Sequence, residues 1–432
     1  MTGKGKMIGE GSTRLARKLP AGMVDASLAS LATFTIGIAA ANLLDVRDLG
    51  VYAVFFTAFM FATVLPRNLI FTPAEVTAVS RPLDIRMQLL AQSIRLGLPL
   101  AILGATTVLI AALITESLTE PEVVVALVAT TGIAAVISPI QDHIRKLFHI
   151  ADHSWLAAAV SAVQATVAIV SVTAMVVADV PAPWVPFGAL AVANAASLTV
   201  AWMLALRVDA TGGRPRLRFR ELASSGKWIL LQSLAPSVAG FIVAAVIVRL
   251  AGPEALGYAE AARIVAQPVI VLATGLTAVL APRIMEASMI VDLVAAKRLQ
   301  RIYLALVLLA GAGYLLVAGT SWGFNPMTYL VPAAYVIPGL VALTVVTNMF
   351  TAAEFLQVNE LLGARLEKSL MVISFVASPI LVAVSFTAAV TGAFARTLGE
   401  LIEAWVRLGA QGWRLHQHYT KDSAESTGTS AS

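Results

Sequence analysis

No cysteine occurs among the 432 residues, which excludes a disulfide framework and thiol chemistry. Charge is also scarce: Asp, Glu, Lys and Arg together make up 13%, against about 25% in an ordinary soluble domain. A chain this poor in charge cannot cover a water-facing surface of its own size. No phosphate-binding glycine loop and no nucleophile elbow is present, which removes the enzyme classes built on them. Alternating ten-residue segments are absent, so a transmembrane barrel is excluded. His143, His149 and His153 are the only histidines of the expected folded region and share one loop with Asp142 and Asp152. His149 and His153 have the i, i+4 spacing of a metal pair, but the simpler reading is an exposed juxtamembrane helix. No metal, cofactor or catalytic residue is expected.

What is abundant is apolar sequence: 58% hydrophobic residues and a mean hydropathy of +0.84. Twelve apolar stretches each approach the roughly 20 residues that cross a bilayer as a helix. They fall at 26–44, 51–71, 91–114, 122–140, 155–178, 185–206, 228–249, 258–281, 302–320, 328–351, 369–386 and 390–408. The segments are apolar on all sides, and in lipid only a helix satisfies its own backbone polar groups. The expected fold is therefore an all-α polytopic membrane protein with about 12 transmembrane helices.

The basic residues cluster before the first stretch (Lys4, Lys6, Arg14, Arg17, Lys18) and in alternate loops, most densely at Arg207, Arg214, Arg216, Arg218, Arg220 and Lys227. The opposite loops are short and carry Asp45, Asp48, Glu116, Glu120 and Glu254. By the positive-inside rule both termini are cytoplasmic, and the net charge of +5 is an expression of this topology, with some attraction to membrane lipids. The basic residues are spread over many loops, so nucleic acid is not an expected partner. The first stretch reads as an uncleaved helix rather than a signal peptide. The expected organisation is a basic N-terminal segment at 1–22, a six-helix lobe at 23–207, a basic linker at 208–227, a second six-helix lobe at 228–412, and a disordered tail at 413–432.

The two lobes carry a weak internal repeat. At an offset of 207, six positions coincide: Ser30/Ser237, Ala32/Ala239, Phe34/Phe241, Leu43/Leu250, Leu49/Leu256 and Gly50/Gly257. Chance would give roughly two in such a window. The repeated element is a helix, a tight outer turn and the next helix, and two such halves are related by an axis along the membrane normal. The run Gly252-Pro-Glu-Ala-Leu-Gly257-Tyr258, with Ala262-Arg263-Ile264, Gly275-Leu276 and Leu280-Ala281-Pro282-Arg283, resembles the start of the C-terminal lobe in polysaccharide flippases of the multidrug/oligosaccharidyl-lipid/polysaccharide (MOP) exporter superfamily. Leu44-Asp45 to Gly50-Val51-Tyr52 looks like its N-terminal counterpart. The resemblance implies a V-shaped pair of lobes, MATE-like in architecture. It also implies alternating access that flips a polyprenyl-diphosphate-linked oligosaccharide across a bacterial cytoplasmic membrane for surface polysaccharide biosynthesis. Its implied partners are that lipid-linked glycan and the polysaccharide polymerase and glycosyltransferase machinery. The alternative is a cation-coupled multidrug antiporter of the same superfamily. That group relies on acidic residues within the N-terminal lobe, where this chain has only Asp25 and Glu122 at the edges of its stretches.

Charges inside the apolar stretches are costly, about 2.5–3.5 kcal/mol each at the bilayer centre, and so mark candidate sites. Arg263 and Arg396 lie inward from the outer face, each with an acid at helical spacing, Glu260 at i−3 and Glu400 at i+4. Two readings stand: an ion pair on one helix face, or a cationic cavity lining whose guanidiniums match phosphate oxygens. Arg249, Arg67 and Arg95 sit near stretch ends, where snorkelling is the simpler account. Gln164, Asn194, Gln232, Gln267 and Asn348 are candidates for meeting sugar hydroxyls or for helix–helix hydrogen bonds. Pro99, Pro236, Pro268, Pro332, Pro338 and Pro379 are candidate kink sites.

Overall fold

The computed structural model describes residues 4–79, 81–208, 216–318, 327–337 and 339–428. Among them there is no strand. Twelve principal helices follow in order: α1 (Lys4–Leu43), α2 (Val46–Pro66), α3 (Leu89–Ala105), α4 (Pro121–Ile150), α5 (Ser154–Val177), α6 (Val185–Arg207), α7 (Phe219–Ala251), α8 (Pro253–Met289), α9 (Leu293–Ala318), α10 (Leu340–Gly363), α11 (Glu367–Ser385) and α12 (Phe394–Gly428). We call the end of the bundle where α1 begins the basic end, and the end carrying the turns at 44–46 and 251–253 the acidic end.

Among the described residues, eleven helices are long and apolar enough to cross a membrane. α12 completes the set of twelve by packing on α10 and α11, although Arg396, Glu400, Glu403 and Arg407 make it too polar to count among the eleven. Two expected boundaries need correction. The stretch expected at 328–351 begins later, because Pro332 holds an extended backbone and Gly339 a left-handed one (φ +80°), so α10 starts at Leu340. Pro332 is therefore in a loop rather than a helix; Pro338 lies outside the described residues. The tail expected to be disordered from 413 is helical to Gly428 as the continuation of α12. It is held by Leu415 and Tyr419, which pack with Ala287, Ala296, Leu361 and Leu370. Burial, with the Glu360 carboxylate beside it, pushes the Tyr419 phenol above its usual pKa.

α2 does not end at Pro66 but widens. The Thr72 N–H donates to the Arg67 carbonyl five residues back, a single π-turn over Arg67–Phe71, before helix resumes at Thr72–Val79. Pro73 supplies the reason: it has no N–H, and in a regular helix its ring would strike the carbonyl four residues back.

The same helix pairings occur twice. In the first half α1 packs on α5, α2 on α3 and α4, α3 on α4, and α6 on α4 and α5. In the second, α7 packs on α11, α8 on α9 and α10, α9 on α10, and α12 on α10 and α11. Between the halves α1 meets α8, α7 meets α2, and α2 meets α8, a set that maps onto itself when the halves are exchanged. The weak sequence repeat lies at the centre of this seam. A Cβ on Gly50 would stand 1.8 Å from the Pro253 carbonyl oxygen, and one on Gly257 would stand 2.1 Å from that of Val46. Each glycine of the repeat is thus where the turn of the other half rests. Tyr335 Oη donates to the Leu44 carbonyl and Asn42 Nδ2 to that of Leu330, at 2.8 Å for the latter, adding hydrogen bonds across the same end.

Gly257→Ala should force the two turns apart. Overpacking of this kind costs roughly 1–3 kcal/mol, so thermal unfolding of the purified protein should begin at a lower temperature. Gly132→Ala, whose Cβ meets nothing within 4 Å, should leave the transition unchanged or raise it.

Candidate functional site at the seam

α8 and α12 bring their charged turns together where the two halves meet. Glu260, with no exposed surface, accepts from Arg263 Nε at 2.9 Å and Nη2 at 2.6 Å, a fork-shaped pair one turn apart on α8. Its Oε2 also faces Arg396 Nη1 of α12 at 3.3 Å. Arg396 Nε in turn donates to Glu400 Oε1 at 2.9 Å. The four groups form one chain, Arg263–Glu260–Arg396–Glu400, with formal charges that sum to zero. The Arg263 guanidinium lies 4.4 Å from the ring centroid of Phe56 on α2, so the network reaches into the opposite half.

The expected ion pairs are therefore present, and a single carboxylate joins them. The arginines are not sealed off: their side chains are 24% and 17% exposed. Arg396 lines a cavity of about 160 Å³ between α2 and α7, with Phe56, Thr57, Phe61, Pro236 and Ser237 among its walls. It commits Nε and Nη1 to carboxylates, and its Nη2 has no protein partner among the described residues. The arrangement provides guanidinium donors on a cavity wall beside aromatic rings.

The other candidates divide. Gln267 lies one turn beyond Arg263 on α8 and is half-buried. Asn348 Nδ2 donates to the Ala266 carbonyl at 2.9 Å, which sews α10 to α8. Arg249 is exposed at the acidic end of α7, and Arg67 is exposed on the π-turn at the basic end, so neither joins the network. Gln164 and Asn194 hydrogen-bond each other at 2.6 Å, and Asn194 reaches Ser138 on α4 at 2.6 Å, which makes them helix–helix contacts of the first half.

The exposed helix expected at His149 and His153 is found only in part: His149 lies in the last turn of α4, both residues are half-buried, and His143 lies deeper. His143 is 1% exposed. Its Nδ1 meets Glu75 Oε1 at 2.8 Å, its Nε2 meets Ser93 Oγ at 2.7 Å, and its ring stacks on Phe71. His149 Nε2 meets Asp25 Oδ2 at 2.8 Å, with Ser161 and Arg145 also on that carboxylate. His143 and His149 lie on α4, which extends to Ile150 and packs against α2 and α3, and His143 faces that packing.

A second inward-facing group escaped the sequence reading. Glu354 of α10 is 3% exposed and accepts from Arg407 Nη2 at 2.7 Å and Gln411 Nε2 at 3.3 Å, both from α12. The signal was legible: Arg396, Glu400, Glu403, Arg407, Gln411 and Arg414 recur every three or four residues, one stripe of a helix. Ile402, Trp405 and Trp413 occupy the exposed side. α12 is amphipathic with its polar face inward, the reverse of a soluble surface helix.

No family profile and no curated protein matches the sequence. Solved structures match over almost the whole chain. A MOP superfamily transporter from Pyrococcus furiosus is 16% identical, covering 94% of this chain and 96% of that one, with a TM-score of 0.66. The eukaryotic MATE transporter AtDTX14 is 14% identical over 95% and 98%, with a TM-score of 0.68. An inward-facing multidrug resistance MATE transporter of the MOP superfamily is 15% identical over 92% and 99%, with a TM-score of 0.62. The chain thus has the MATE-like fold found among transporters of that superfamily.

Removing one partner of a buried ion pair leaves an uncompensated charge and costs about 3–5 kcal/mol. Glu260→Gln should therefore lower the unfolding midpoint sharply, and the double variant Glu260→Gln/Arg396→Gln should recover part of the loss. Equal midpoints for Glu260→Gln and the unaltered protein would show that the carboxylate is not the junction of the network.

Proposed function

We propose that this protein is a bacterial inner-membrane flippase that exports a polyprenyl-diphosphate-linked oligosaccharide by alternating access of its two halves. The observation that carries the reading is the placement of Arg263 and Arg396 at the seam, with Arg396 facing the α2–α7 cavity. A diphosphate carries two or more negative charges, and guanidinium N–H groups match its oxygens bidentately. Aromatic walls such as Phe56 and Phe61 offer flat apolar faces to sugar rings. Both termini and the basic loops would face the cytoplasm, where the glycan is assembled. The polyprenyl tail would remain in lipid, and polymerase and glycosyltransferase machinery would act before and after the flip. The fold supports a transporter, since proteins of this architecture are transporters.

A cation-coupled multidrug antiporter is the second reading, favoured by neighbours that are multidrug resistance MATE transporters. Against it, the Glu260 carboxylate already meets two guanidiniums, and Asp25 meets His149, Ser161 and Arg145, so neither stands open for a cationic cargo. Pocket charge varies within this fold: the Pyrococcus furiosus transporter has a binding pocket of reverse polarity that suggests a different function for it.

The test is complementation of a strain lacking the gene. A hydrogen bond to a charged group contributes about 1.5–3 kcal/mol, so Arg396→Gln that inserts normally should cut export by roughly 10- to 100-fold. Lipid-linked glycan should accumulate as surface polysaccharide falls. Normal lipid intermediates in the deletion strain, with raised sensitivity to cationic drugs, would replace this reading with the antiporter.

A further inference from the structure

The interior basic residues of this protein nearly all carry a carboxylate: Arg145 and Lys146 meet Asp142, Arg263 and Arg396 meet Glu260, and Arg407 meets Glu354. At the basic end two exposed lysines instead gather on one aromatic ring. The apolar part of α7 begins at Gly226 and that of α11 at Glu367, so Lys227, Trp228 and Lys368 each stand at the first residues of a span. α7 and α11 start at the same end and pack along each other, which brings Lys368 to the Trp228 indole. Lys227 Nζ is 5.2 Å and Lys368 Nζ 5.4 Å from that ring centroid. Both lysines are exposed, the indole is half-buried, and neither ammonium has a carboxylate within ion-pair distance among the described residues. Arg414 of α12 adds a third cation nearby, its Nη2 donating to Ser369 Oγ at 2.9 Å, again with no carboxylate.

Two ammonium groups gathered on one ring repel each other, and the ring face attracts each only modestly when exposed. An anion between them would relieve the repulsion. At the depth where a span starts, the abundant anion is the phosphate of a lipid headgroup, and tryptophan is the side chain that favours that boundary. We propose that Lys227, Trp228 and Lys368 form a binding site for the phosphate headgroup of an anionic membrane lipid. The two ammoniums contact phosphate oxygens, and the indole lies against the glycerol and upper acyl region. The site is built wholly on α7 and α11. It does not depend on the seam network or on the cargo assigned to it.

The experiment uses the full chain. Native mass spectrometry measures retention of phosphatidylglycerol against phosphatidylcholine, and tryptophan quenching is measured with brominated phosphatidylglycerol. A Trp228→Phe protein isolates the Trp228 signal from the other tryptophans. Each lysine near an anionic surface contributes about 1 kcal/mol, so Lys227→Gln/Lys368→Gln should weaken phosphatidylglycerol binding by roughly 30-fold. It should also abolish the Trp228 quench. Lys297→Gln/Arg298→Gln removes the same charge from the exposed side of α9, and should change neither readout. Equal losses in both double variants would mean general attraction to a charged surface and would overturn the site. Saturation of the Trp228 response by millimolar inorganic phosphate in detergent would overturn the lipid assignment in favour of free phosphate. Unchanged retention and quenching in the lysine variant, with its helical circular dichroism intact, would overturn the proposal outright.

Discussion

A charged side chain facing hydrocarbon has no water and no counter-ion, so this structure turns nearly every intramembrane charge inward and gives it a partner. The remaining polar architecture follows from that constraint. Glu260 gathers Arg263 and Arg396, Glu354 gathers Arg407 and Gln411, and Asp25 gathers His149, Ser161 and Arg145. It also explains α12, whose charged stripe faces α10 and α11 while Ile402, Trp405 and Trp413 face outward. Buried ion pairs of this kind are weak sources of stability compared with apolar packing. Their strength lies in specificity, since a helix that rotated or slipped by one residue would leave a charge unmatched.

The seam obeys a different rule. Between the halves most contact is apolar and close, with the glycines of the two turns admitting the opposing backbone. Such packing is discrete: the turns fit together or they separate. Arg263 also reaches across the seam to the Phe56 ring, a contact of cation and ring, while Glu260 holds the guanidinium from its own half.

The π-turn at Arg67–Phe71 shows the same economy of position. It is imposed locally by Pro73, yet it falls where α7 of the other half packs against α2 and where Phe71 stacks on His143. A helix loosened by one extra residue is held there by the buried Glu75–His143–Ser93 chain rather than by its own ladder.

The sequence by itself determined the solvent, the helical class, the number of helices to within the polarity of α12, and the repeat centred on Gly50 and Gly257. These depend on the apolar run lengths and on a backbone that must satisfy itself in lipid, both properties of local sequence. It also placed Glu260 within reach of Arg263 and Glu400 within reach of Arg396, because one helix turn fixes which side chains are neighbours. Only the tertiary structure decided that the two pairs share Glu260, since no local rule states which turn of α8 faces which turn of α12. It likewise decided that His143 is buried and that Asn348 is a strut. It placed Arg67 and Arg249 at opposite ends, away from the site. Partners for a polar group in a membrane bundle come from helices distant in sequence, and which helices meet is settled by the packing of the apolar faces between them.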